Sequence, residues 1–108
     1  SWWEADAWCR WAGRRLPAEV EWEMAAHALK RRGFRWGDVW EWTGSTARPY
    51  PGFAADPWRE YSQACFGTHK VMRGASFATR ERMKNPRFRN FQLPQCDQLF
   101  CGFRSCAV

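Results

Sequence analysis

A chain of 108 residues, 45% of them apolar, fits one domain with a single modest core. Its net charge of +6 is scattered through Arg14-Arg15, Lys30-Arg31-Arg32 and the run from Arg80 to Arg89, and nothing in it resembles a nucleic-acid-binding module. No apolar run approaches the roughly 18 residues of a membrane-spanning helix, and an odd set of five cysteines cannot pair completely, so a cytoplasmic protein with reduced thiols is expected.

Ser1-Trp2-Trp3-Glu4 reads as a capping box, in which hydroxyl and carboxylate each satisfy the other residue's free amide. A helix is predicted from there to about Ala12, ended by Gly13, with Trp3, Ala7, Trp8 and Trp11 along one face. The chain opens without Met on what already reads as a helix start, which suggests a fragment, a processed product or a chain whose earlier part is missing. After Pro17, a second helix is predicted from Ala18 to about Lys30, with Val20, Met24 and Ala28 on one stripe. Its acidic residues come first and its basic ones last, the order the helix dipole favours, and Gly33 stops it.

Regular structure then thins. Phe34 to Trp36 and Val39 to Thr43 read as short strands around Gly37-Asp38, and Gly44 to Gly67 as a long ordered loop of the kind that usually carries function. Val71 to Phe77 and Gly102 to Ala107 are further strand candidates, with an Arg-rich, Pro-punctuated segment between them. Nine Trp and eight Phe against a handful of Leu and no Ile suit an irregular core in which loops supply much of the packing.

Three ordered landmarks carry a resemblance. They are Ala5-Asp6-Ala7-Trp8-Cys9-Arg10-Trp11-Ala12-Gly13-Arg14-Arg15-Leu16-Pro17 with Glu19 and Glu21-Trp22-Glu23, then Trp36-Gly37-Asp38-Val39-Trp40-Glu41-Trp42-Thr43, then Val71-Met72-Arg73-Gly74-Ala75-Ser76-Phe77 closed by Gly102-Phe103-Arg104. Together they resemble the formylglycine-generating-enzyme, or sulfatase-modifying-factor, family. The resemblance implies an α+β, irregular C-type-lectin-like fold over residues 1–108, with two helices first and then short strands and long ordered loops. Formylglycine generation itself is not implied. The two copper-binding Cys of those enzymes correspond to Thr79 and Lys84, which supply neither a soft ligand nor a thiol.

Pro49-Tyr50-Pro51-Gly52-Phe53, Tyr61-Ser62 and above all Phe88-Arg89-Asn90-Phe91 are similar to the ergothioneine sulfoxide synthases, in which an upstream four-helix domain holds Fe(II). That similarity implies a C–S or C–Se bond-forming enzyme acting on histidine betaine (hercynine), of which this chain is the substrate-binding part. Asn90 matches a betaine-binding residue. Gln92 and Cys96 stand where an Asp and an Arg line the thiol-donor pocket, with Phe91 and Trp58 beside them. The tail from Asn90 to Ala107 looks most like the selenoneine synthases, so a neutral selenosugar donor is the first expectation and a thiol donor the alternative. Trp58 occupies the position of the proton-donating Tyr, which leaves Tyr61 as the candidate catalytic phenol and Tyr50 as the other phenol in the chain. A lectin-like binding module without catalysis is the rival reading.

Fe(II) typically needs three His or carboxylate ligands with open positions, and His27 and His69 are the only histidines. Iron is therefore expected from residues outside this chain. By resemblance Glu41, with the carbonyls of Gly37 and Val39, would hold a structural calcium, although Phe34 replaces one further ligand. Cys96, Cys101 and Cys106 lack the short Cys-x-x-Cys spacing of a zinc site and read as free thiols. Arg73, Arg87, Arg89 and Arg104 are candidates either to bind a substrate carboxylate or to lock loops, with Arg87, three residues before Asn90, holding the best claim to a binding role.

Overall fold

The computed structural model describes residues 1–47, 67–76, 78–79, 84–86 and 88–108. Helix α1, Trp2–Trp11, starts on the expected capping box: the Ser1 hydroxyl accepts from the Glu4 amide, and the Glu4 carboxylate accepts from the Ser1 nitrogen. Strand β1, Arg14–Arg15, leads to helix α2, Glu19–Ala28, and a 3-10 turn at Lys30–Arg32. At Gly33 the backbone adopts φ of 90°, which favours a residue without Cβ, and the helical run ends there. Strands β2, Trp40–Thr46, β3, Lys70–Gly74, β4, Arg89–Gln92, and β5, Cys101–Phe103, form one sheet in the order β4-β3-β2-β5. Strand β6, Cys106–Ala107, pairs with β1 in a separate ribbon.

The sheet is mixed. β2 pairs antiparallel with β3, and β3 with β4, whereas β2 and β5 run parallel. Residues opposite one another across the ladders share a face. Trp42, Met72 and Asn90 are one such row, and Glu41, Arg73 and Arg89 are the next, on the other face. Trp2, Ala5 and Cys9 of α1 pack with Leu16 against Trp42 and Met72, and the Trp2 indole N–H donates to the Thr43 carbonyl at 2.8 Å. Trp22 and Ala26 of α2 are buried on the opposite side, where the Trp22 indole donates to Glu41. The sheet is thus clamped between two helices.

The buried stripes differ from those predicted. Trp3, Trp8 and Trp11 are exposed, the last by 83%, while Trp2, Ala5 and Cys9 face the sheet. Val20 and Met24 are also exposed, and Trp22 and Ala26 take the core. Small residues at Ala5, Cys9 and Ala26 let each helix approach closely, so one large indole per helix fills the layer. Phe34 to Trp36 is not a strand; Phe34 and Trp36 instead meet Trp22 edge-on at 5.8 Å each. β2 extends through Gly44 to Thr46, where a loop was expected, and most of the remaining predicted loop lies outside the described residues.

Candidate functional site

Strand β4 was not legible as a strand, yet it carries the candidate substrate residues. Alternation turns Asn90 and Gln92 to the α1 face and Arg89 and Phe91 to the α2 face. The Asn90 side-chain oxygen accepts from the Gln92 amide at 3.1 Å, and both side chains are half-buried. Beyond Gln92 the chain turns, with the Cys96 amide donating to the Leu93 carbonyl, and the Pro94 carbonyl accepts from the Trp2 amide at 2.9 Å. The loop after β4 is therefore pinned to the start of α1.

Beside this loop opens a cleft of about 330 Å³, lined by His69, Gln92, Leu93, Cys96 and Asp97 among others. Its volume falls at the small end of ligand sites. Gln92 and Cys96, expected to share a pocket, do so, and Cys96 also packs against the core cluster. Phe91, expected with them, points away, with the Arg89 guanidinium 4.8 Å over its ring. His69 and Asp97 were not anticipated here. The register pairs Lys70 with Gln92, which brings the neighbouring His69 to the cleft, a relation visible only once β4 is recognised. Trp58, Tyr61, Tyr50 and Arg87 lie outside the described residues.

Behind β4, charge holds the sheet to α2. Arg73 is fully buried and donates to Glu19, Glu23 and the Pro86 carbonyl at 2.7–3.3 Å. Glu19 also accepts both donors of Arg89, at 2.9 and 2.7 Å. One carboxylate thus ties two strands to one helix, and its bidentate geometry fixes β4 in orientation as well as position. Of the arginine candidates, Arg73, Arg89 and Arg104 all serve as locks.

Glu41 is buried, and both its oxygens accept from Arg104, at 3.0 Å for Oε2, while Oε1 also accepts from Trp22. Arg104 in turn stacks on Phe34 at 3.8 Å. A guanidinium already supplies the positive charge that calcium would bring, and the Phe34 ring lies where a further oxygen ligand was looked for. Calcium does not fit this arrangement. Nor does iron fit the described residues, among which no group of three His, Cys, Asp or Glu side chains is positioned to hold a metal. His27 is exposed on α2. Cys9, Cys96, Cys101 and Cys106 are free thiols, and burial pushes the Cys9 thiol up from its ordinary pKa.

The fold and its ordered landmarks define the class: the chain belongs to the family of sulfatase-modifying factor enzyme 1-like domains, whose model matches residues 1–38 and 34–107. Within it, the chain is similar to proteins named hercynine oxygenase. It is 35% identical to that of Mycobacterium tuberculosis over 147 residues, covering 96% of this chain and 35% of that protein. To the Mycolicibacterium smegmatis enzyme it is 34% identical over 148 residues, covering 94% and 35%. A shorter stretch of 39 residues is 56% identical to the formylglycine-generating enzyme of Streptomyces coelicolor, 35% of this chain and 12% of that protein. The chain spans about a third of the length of the hercynine oxygenases it matches.

Proposed function

We propose that this chain is the hercynine-binding part of an ergothioneine-type sulfoxide synthase, an iron- and oxygen-dependent enzyme that joins sulfur to the imidazole of trimethylated histidine. The observation that carries this reading is the likeness to hercynine oxygenases along 96% of the chain, Asn90 and the adjoining cleft included. In this reading the iron ligands belong to the two thirds of the relatives' length that the chain does not span, in a helical domain upstream. Residues 1–108 are one substrate-binding domain, which alone would not turn over. Asn90 offers an amide for the betaine, Gln92 holds that amide at 3.1 Å, and the cleft beyond takes the sulfur donor. A phenol outside the described residues, Tyr61, is the candidate proton donor, and the cytoplasm is the proposed compartment.

A neutral selenosugar donor was the first expectation, from the likeness of the tail to selenoneine synthases and the uncharged Gln92 and Cys96. That argument weakens because the same cleft holds His69 and Asp97, and a thiol donor is the better-supported reading. The test is calorimetric titration of hercynine into the full-length protein loaded with iron. Wild type should bind it, and Asn90→Ala should weaken binding by about tenfold, the loss of one well-made hydrogen-bonding group. Equal affinity in both would remove Asn90 from the site, and no binding to wild type would end the proposal.

A further inference from the structure

Gln92 and Cys96 put no permanent charge at the positions from which a zwitterionic donor would be gripped, but the cleft they line is not uncharged. Asp97 contributes a carboxylate and His69 an imidazole to the same 330 Å³ space. Lys70, the adjacent residue on β3, is turned elsewhere: its ammonium donates to the Thr46 hydroxyl at 3.1 Å and sits 4.2 Å over the Trp2 ring. His69 is therefore the basic residue lining the cleft among those described. The Thr68 hydroxyl lies 2.8 Å from His69 Nδ1. When that hydroxyl donates, Nε2 carries the hydrogen and presents an N–H, the polarity a carboxylate requires. The backbone beside it is also fixed, since the His69 carbonyl accepts from the Ala47 amide at 2.7 Å.

We propose that His69 and Asp97 are the donor-selecting residues of this cleft, Asp97 receiving the ammonium and His69 the carboxylate of an amino-acid thiol. The inference deepens the reading of the cleft as the sulfur-donor side and rests on it. Selection by a carboxylate at one point and an imidazole N–H at the other disfavours a neutral sugar, because the sugar brings neither an ammonium to Asp97 nor a carboxylate to His69. It also explains how neutral side chains at Gln92 and Cys96 are compatible with a charged donor: a carboxylate comes from the next residue along and an N–H donor from the residue beside the neighbouring strand.

The test uses the full-length protein with iron, saturating hercynine, and two donors, γ-glutamyl-cysteine and an uncharged thiosugar. Asp97→Asn and His69→Gln are each expected to raise KM for γ-glutamyl-cysteine about tenfold with kcat changed far less, the loss of one charge-assisted contact. KM for the thiosugar should not rise, nor should the calorimetric Kd for hercynine. Unchanged KM for the dipeptide in both variants, or a parallel rise for both donors, would overturn the assignment. If wild type binds no hercynine, the proposed function fails by itself. Direct titration of γ-glutamyl-cysteine into wild type and the two variants then decides the charge selection, and equal affinities would end it.

Discussion

Arg104 is the residue on which the interior depends for electrical balance. Glu41 is buried in the centre of the sheet's α2 face, and a carboxylate there is tolerated because a guanidinium and an indole N–H meet it. Removing the cation while keeping the anion strands the charge. Arg104→Met is expected to destabilise the protein by about 2–3 kcal/mol, below the ~3–5 of a fully enclosed pair because about a third of the Arg104 side chain reaches water. Urea unfolding measures it. Pairing the change with Glu41→Gln should recover a substantial part, since the stranded charge is then gone. The motif around Glu41 announced a special carboxylate in the sequence. That its partner is an arginine sixty-three residues on was not legible, because the partnership depends on β5 lying beside β2.

Among the elements, legibility followed local signals. The capping box of α1 and the stops at Gly13 and Gly33 are written in a few consecutive residues, and they appear as read. Which stripe of each helix is buried was misread, since three exposed indoles outweigh one buried indole in any count of apolar spacing. β4 escaped because two of its four residues are polar amides and one is Arg; its pairing comes from β3, and its orientation from Glu19 across the sheet. The candidate site was accordingly legible as residues and not as a surface: Asn90, Gln92 and Cys96 were named from the sequence, while His69 joins them only through the register of β3 with β4 and Asp97 through the loop after β4. The junction of β1 and α2 shows a local tie with a pH signature. Arg15 donates both its outer nitrogens to Glu21, whose carboxyl also caps the Ala18 amide and is held at a pKa of about 2, below an ordinary value of 4.5. A carboxyl with a depressed folded pKa adds stability above about pH 4.5 and loses it as pH falls toward 2. Glu21→Gln should flatten the melting-temperature profile across that acid window and leave its shape at neutral pH alone, as a thermal-melt series against pH would record.

At the scale of the molecule, an aromatic-rich core is divided by a sheet into two chambers, an apolar one under α1 and a polar, arginine-bearing one under α2. In the second chamber Arg73, Arg89 and Arg104 are matched by Glu19, Glu23 and Glu41, so the net charge of +6 arises from residues elsewhere in the chain. Both sheets are completed by the same late segment: Cys101–Phe103 runs beside β2, and Cys106–Ala107 closes on β1. Deleting residues 101–108 is expected to abolish cooperative unfolding, because β2, Glu41 and β1 all lose partners at once; calorimetry of the truncated protein would test this. On the ribosome, then, the earlier residues must wait. A strand that emerges well after its partner is needed to seal contacts whose other half was made much earlier, and loops that long close slowly. Until then the indole of Trp42 and the carboxylate of Glu41 stand uncovered along one unfinished edge, a window in which a holding chaperone or a neighbouring domain has the most to offer.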